Sequence, residues 1–171
     1  MIRNLQPDPY SRARPRWSLY TNVTEDPADG RRIYSCADAT QQLWAFSVLQ
    51  QSSKERFGRT LVSVLEFGRP VVLAGTTLLR MTCADDVTIH RISDTRYWIS
   101  GCLNDRGALW HELQFETAID TTVKLLGSAL YTPEDWMLVQ EMADTGVLRI
   151  PWFAVPNSGS GEIGPQPVLM P

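Results

Sequence analysis

Short apolar runs recur through the middle of the chain, and turn residues separate them. The run Thr60–Phe67 (TLVSVLEF) ends at a Gly-Arg-Pro turn, and the polar segment 104–107 (NDRG) separates two later runs. Runs of this length, at about ten-residue spacing, are typical of sequential antiparallel strands. The pattern predicts a meander that closes as a barrel or stacks as a sandwich. The predicted strands are Thr60–Phe67, 71–81, 87–92, 97–103 and 108–116.

Residues 33–57 fit two different local structures. A capping box at 35–38 would begin a helix that continues through Gln51. Alternatively, large apolar residues at every second position indicate a strand over 43–49. We favour the strand, because the segments that follow are also predicted strands.

Two short helices are predicted after the strands. Apolar residues at i, i+4, i+7 and i+11 from Ile119 form one stripe of a helix over 118–130. For a second helix over 133–144, Thr132 is the N-cap, Pro133 takes the first helical position and two acidic residues follow. The fold class is therefore α+β: mainly antiparallel β, with a C-terminal pair of helices and extended arms at both ends.

The ends of the chain differ in composition from its middle. Four prolines within 1–32 prevent a regular helix there, and aromatic residues alternate with arginines. Residues 157–171 combine a flexible Gly/Ser segment with a short apolar plug. We therefore divide the chain into an N-terminal arm (1–32), one β-rich globular domain (33–156) and a C-terminal tail (157–171). Including one tryptophan on a polar strand face, the predicted partner-binding residues are Tyr10, Arg12, Arg14, Arg16, Trp17, Tyr20, Trp110, Val168, Leu169 and Met170.

Composition excludes several classes of protein. The chain has 171 residues, 43% of them hydrophobic, which is enough for one buried core without disulfides or a structural metal. No apolar stretch approaches the roughly 20 residues of a membrane span. The first 20 residues contain four arginines and no apolar segment, so we expect no secretory signal, free thiols at the three cysteines and a cytoplasmic location unless the chain is part of a virion.

Charge is distributed unevenly along the chain. Residues 1–80 contain 11 basic and 7 acidic side chains, a net of +4, whereas residues 81–171 contain 5 basic and 12 acidic ones, a net of −7. Such asymmetry favours head-to-tail contact between subunits. The arginines of the arm could contact nucleic acid, but the acidic chain, with a pI of about 5.4, leads us to expect no nucleic-acid partner.

One predicted pairing of side chains across a hairpin could form a catalytic site. If 104–107 is a hairpin loop, Ser100 lies opposite His111, with Cys102 on the same face. A hydroxyl or thiol beside an imidazole is the minimal nucleophile–base pair. No group that would orient the base is evident, and a core histidine bonded to a neighbouring serine explains the same pattern. The sequence contains only two histidines and three widely separated cysteines, so we expect no metal site. It also contains no phosphate-binding motif, and we therefore expect no cofactor.

These observations favour a non-enzymatic structural subunit. We expect it to lock into a large particle through its extended arms, as a homo-oligomeric ring, a hetero-assembly or both. The particle we expect is a phage virion, assembled in the host cytoplasm, with the subunit at its neck, tail, baseplate or capsid decoration. The alternative is a small intracellular β-barrel enzyme or ligand-binding protein with a site near Ser100, Cys102 and His111.

Overall fold

A computed structural model describes residues 5, 18–50, 56–106 and 110–146, together with two short backbone strands near the C-terminus. Residues 50 and 110 are described by their backbone only. This part of the chain is mainly β. Its elements are β1 (Ser18–Leu19), β2 (Thr21–Glu25), β3 (Arg32–Cys36), β4 (Leu43–Gln50), β5 (Thr60–Phe67), β6 (Leu79–Met81), β7 (Ala84–Arg91), β8 (Arg96–Leu103), β9 (Trp110–Glu116), β10 (Val123–Tyr131), α1 (Pro133–Asp144), β11 (Phe153–Ala154) and β12 (Gln166–Pro167).

The strands form two main sheets. The four-stranded sheet has the order β1-β4-β9-β6, and the six-stranded sheet has the order β2-β3-β10-β5-β8-β7. Every described pairing is antiparallel, and β11 pairs only with β12 among these strands. Each main sheet ends in edge strands, so the described residues form no closed barrel. The mainly antiparallel β fold predicted from the sequence is confirmed.

The facing sides of the two sheets share one hydrophobic core. Tyr34 of the six-stranded sheet stacks on Phe46 of the four-stranded sheet, with 3.7 Å between ring centroids. Trp44 stacks on Phe115 at 4.4 Å, and all four rings are buried. Because successive side chains of a strand point to opposite faces, this core requires apolar residues at alternate positions. That requirement explains the alternating pattern over 43–49, where the strand prediction is confirmed.

The predicted helix over 118–130 is wrong, because the structure contains strand β10 there and α1 is the only helix among the described residues. β10 lies between β3 and β5 and is buried on both faces. A strand buried on both faces carries a nearly continuous apolar run, which periodicity does not distinguish from a buried helix. The register also shifts between Leu125 and Gly127, and this irregularity changes the spacing of the apolar residues.

Of the predicted strand over 71–81, only Leu79–Met81 forms a strand, β6. Val71, where the strand was expected to begin, makes other bonds: the Tyr97 hydroxyl donates to the Val71 carbonyl at 2.6 Å, and the Val71 amide donates to the Asp94 carbonyl at 3.0 Å. Gly75, predicted as a bulge, lies in a turn with a φ of 58°. The chain crosses here from one sheet to the other, because β5 and β6 belong to different sheets.

The N-terminal region is tied to the body at two described points. The Leu5 amide donates to the Leu130 carbonyl at 2.9 Å. Ser18 pairs with Phe46, and β2 pairs along its whole length with β3. Residues 18–32, assigned to the arm from the sequence, therefore contribute strands to both sheets, while residues 6–17 lie outside the described part.

Candidate interaction surface

Helix α1 begins as the sequence predicts. The Thr132 side chain accepts a hydrogen bond from the Asp135 amide at 3.2 Å, and Pro133 follows the cap. Glu134 and Asp135 lie in the first turn, where negative charge favours the positive end of the helix dipole. The helix ends at Asp144, and Gly146 follows with a φ of 74°. The cap therefore defines where the helix begins.

One side of α1 packs on that sheet. Trp136, Val139 and Met142 contact a second apolar cluster that includes Val62 and Tyr131. Trp136 stacks on Tyr131 with a centroid distance of 6.1 Å. The spacing of the three helix residues places them on one helical stripe, as expected for an amphipathic helix. This stripe accounts for three of the five large apolar residues of the helix.

The other two large apolar residues of α1 face solvent. Met137 is 70% exposed and Leu138 is 47% exposed. They lie at the centre of an open surface groove of about 710 Å³, with acidic residues on both sides. We call this surface the α1 face. Its residues are Glu134, Met137, Leu138, Gln140, Glu141, Asp144 and Thr145.

The α1 face is negatively charged. The helix contains four acidic residues and no lysine or arginine. Glu134 is explained by the helix dipole, but Glu141 and Asp144 lie near the negative end, where acidic side chains are unfavourable. Helix stability therefore does not account for these two carboxylates. Chemically, the face suits a partner that brings an apolar group and one or more cations.

Beyond α1, an aromatic row continues across the sheet. His90 of β7 stacks on Trp98 of β8, with 3.7 Å between ring centroids and 10° between planes. Trp98 in turn meets the edge of Trp136 at 6.4 Å. Burial lowers the pKa of His90 below its usual value, which favours the neutral ring near neutral pH. The row fixes the position of Trp136 and therefore the orientation of α1.

The predicted pairing of Ser100 with His111 is wrong. Strand β8, which carries Ser100, pairs with β5 and β7, whereas β9, which carries His111, pairs with β4 and β6. The two residues therefore belong to different sheets. The Ser100 hydroxyl instead lies 2.8 Å from the Thr88 hydroxyl. Consecutive strands are usually neighbours, but here the connection passes from one sheet to the other.

The other residues of that predicted site do not form a catalytic group with Ser100. Burial, and then the charges of Asp86 and Asp85, raise the pKa of the Cys102 thiol. A thiol with a raised pKa is a poor nucleophile near neutral pH. His111 is fully buried, and burial lowers its pKa below the usual value.

Most of the predicted partner-binding residues lie outside the described part of the chain. Tyr20 is described: it is exposed, and its φ of 49° turns the chain between β1 and β2. The backbone of Trp110 begins β9, but its side chain is not described. The remaining predictions stay untested. The residues concerned are Tyr10, Arg12, Arg14, Arg16, Trp17, Val168, Leu169 and Met170.

Sequence reasoning missed Met137 and Leu138. The signal was available, because five large apolar residues within one short helix exceed what a single buried stripe can hold. The two residues off the stripe of Trp136, Val139 and Met142 are the exposed ones.

Comparisons of the chain with protein-family models, curated proteins and solved structures find no match. No helix among the described residues is long and apolar enough to cross a membrane. Within the same part of the chain, no group of three or more His, Cys, Asp or Glu residues could hold a metal ion. The α1 face, an apolar centre between carboxylates, is the basis for the functional proposal.

Proposed function

We propose that the protein is a non-enzymatic structural subunit that binds other protein subunits in a larger assembly. The observation that supports this proposal is the exposure of Met137 and Leu138 at the centre of the α1 face. Adjacent exposed apolar side chains within a polar rim are characteristic of protein-binding sites. In such sites, contacts at the centre contribute most of the binding free energy.

The carboxylates around this centre determine the kind of partner. Glu141 and Asp144 cost helix stability at the C-terminal end of α1, so another interaction must favour them. Complementary charge across an interface speeds association and excludes wrong partners. The partner surface therefore carries arginine or lysine beside an apolar group.

The α1 face alone is too small for a stable interface. A helix of 12 residues is about 18 Å long and about 10 Å wide. Its exposed side therefore offers about 200 Å², whereas a stable interface buries about 800 Å² per partner. Further segments must add to the contact, and the N-terminal arm and C-terminal tail predicted from the sequence are the segments we propose.

The assembly that we propose is a phage virion, with this chain as a neck, tail, baseplate or capsid-decoration subunit. The support is the organisation of the chain: a β-rich body, an N-terminal end with prolines, aromatic residues and arginines, and a C-terminal end with glycines, prolines and a short apolar stretch. Such ends are common in symmetric particles whose subunits embrace their neighbours, so this step rests on analogy of architecture.

Hydrogen exchange of the full chain at low and high protein concentration tests this function. We expect the amides of residues 137–146 to exchange more slowly at high concentration, because association covers the α1 face. The loop over 71–75 is the internal control, since Val72 is also exposed but lies far from any acidic helix in sequence. Protection that grows with concentration elsewhere but not in α1 would contradict the proposed surface.

A further inference from the structure

The α1 face suits a partner that brings cations and an apolar group, and the chain itself contains a segment with both. We propose that the α1 face binds residues 6–17 of a second copy of this chain. This inference rests on the proposed function and names the partner of the same surface. The contact is heterologous, because a segment of one copy meets a helix of the next, and repetition of such a contact closes a ring or extends a filament.

The chemistry of residues 6–17 complements the α1 face. Arg12, Arg14 and Arg16 supply three positive charges, against one negative charge from Asp8. Arginine also stacks on apolar and aromatic surfaces, so it suits a groove that combines Met137 with carboxylates.

The geometry of the two anchors gives the segment a defined reach. The Leu5 amide is bonded to the Leu130 carbonyl, and Ser18 is paired with Phe46. Residues 6–17 are therefore a 12-residue span that is held at both ends. At about 3.4 Å per residue, the middle of a span of this length can reach at most roughly 20 Å from its anchors. That distance is comparable with the length of α1, about 18 Å.

A second copy is the occupant we infer rather than the same chain. The positive first half and negative second half of the chain favour a contact between successive copies, in which residues 6–17 of one copy meet α1 of the next.

Two charge-reversal variants of the full chain test this pairing. The arm variant combines Arg12→Glu, Arg14→Glu and Arg16→Glu. The helix variant combines Glu141→Lys and Asp144→Lys, and it should remain folded because cations near the C-terminal end of a helix are favourable. Each exposed ion pair contributes about 1.5- to 5-fold in affinity. Because each reversal replaces attraction by repulsion, we expect either variant to self-associate at least about tenfold more weakly than the unmodified chain.

Mixing the two variants identifies the occupant. In an equimolar mixture, the unmodified arm of the helix variant meets the unmodified α1 of the arm variant, and the two reversed surfaces also match. We expect the mixture to regain the mass of the unmodified assembly by light scattering. Binding of the arm to its own helix cannot be restored by mixing, so a mixture that stays dissociated would overturn the inference.

A matched control carries the same change in charge elsewhere. The variant with Asp105→Lys and Asp120→Lys alters two exposed turn residues. The Asp120 side chain meets Arg69 in an exposed pair at 3.8 Å, and the Asp120 carbonyl, which the substitution leaves in place, accepts a hydrogen bond from Arg69 at 2.9 Å. We expect this control to associate like the unmodified chain. An equally large loss in the control would show a nonspecific charge effect and would overturn the inference.

The remaining outcomes separate this inference from the proposed function. Loss of association in the helix variant but not in the arm variant would overturn residues 6–17 as the occupant and leave the α1 face as an interface. Another segment of a second copy, such as the C-terminal residues 168–170, would then be the occupant. Unchanged association in both variants would overturn this inference and the α1 face as the interface, whereas the proposal of an assembly subunit would stand on the association itself. An unmodified chain that stays monomeric at every concentration would overturn this inference.

Discussion

Replacing Met137 and Leu138 by glutamine should separate association from folding. Both side chains face solvent in the single chain, at 70% and 47% exposure. Glutamine has nearly the same helix propensity as methionine and leucine, so α1 itself should be unaffected. Substitutions at such exposed positions usually change the free energy of unfolding by less than about 0.5 kcal/mol.

The expected loss of affinity follows from the exposed fractions. Full burial of a methionine or leucine side chain contributes about 1.5–3 kcal/mol. Scaled by the exposed fractions of 70% and 47%, the two side chains together contribute about 1.8–3.5 kcal/mol when a partner covers them. This corresponds to a dissociation constant roughly 20- to 350-fold higher in the double variant.

Sedimentation equilibrium of the unmodified chain, the double variant and Val72→Gln measures this effect. Val72 is 83% exposed in the loop between β5 and β6, so its replacement is a matched loss of an exposed apolar side chain. We expect the dissociation constant of the Val72 variant to stay unchanged. An unchanged dissociation constant in the double variant, with the fold intact by circular dichroism, would refute the reasoning.

Three further predictions concern stability and are checked by chemical denaturation. Thr132→Ala removes the cap of α1 and should cost about 1 kcal/mol, whereas an unchanged midpoint would mean that the cap contributes nothing. Gly101→Ala would place a Cβ 2.8 Å from a neighbouring side-chain carbon and should lower the free energy of unfolding by about 1–3 kcal/mol. Unchanged stability would show that the neighbouring side chains move to accommodate the added methyl group. The hydrogen bond from Lys124 to Asp26, at 2.5 Å, holds the pKa of Asp26 below its usual value. This hydrogen bond stabilises the fold above the ordinary carboxyl pKa, and its contribution is lost as pH falls below about 4. Lys124→Met should therefore reduce the dependence of the free energy of unfolding on pH in this acidic range. An unchanged pH dependence would contradict a stabilising role of the pair.

Local sequence signals predicted the elements whose structure is determined locally. Strand β5 has the predicted bounds, Thr60–Phe67, because its apolar run is enclosed by clear turn residues. Helix α1 covers the predicted residues, because its cap and first turn are specified by consecutive residues. In both cases the deciding interactions lie within the segment or directly beside it.

Predictions failed where distant contacts decide the structure. Residues 118–130 carry a helical spacing of apolar side chains, but pairing of β10 with β5 over eight positions determines the outcome. Its central position, buried on both faces, removes the polar alternation that identifies a strand. The pairing of Ser100 with His111 failed for a related reason, because no local signal indicates that the chain changes sheets between β8 and β9.

The sequence indicates the charges that would form a contact between copies, but it does not identify the α1 face. The charge asymmetry and the arginine-rich N-terminal segment are visible in the sequence, and they suggest contact between copies. The exposure of Met137 and Leu138 depends on which side of α1 packs against the sheet, and Trp136 and Val139 determine that side. A structure was needed to distinguish an exposed apolar pair from a fully buried helix.

The solution mass of the unmodified chain tests the central claim most directly. Light scattering over a range of protein concentrations gives the mass without labels or substitutions. We predict that the mass rises from the 19.3 kDa of one chain to a defined multiple, and that added salt shifts this rise to higher concentration because charge contributes to the contact. A mass of 19.3 kDa at every concentration and at low salt would contradict binding between copies through the α1 face.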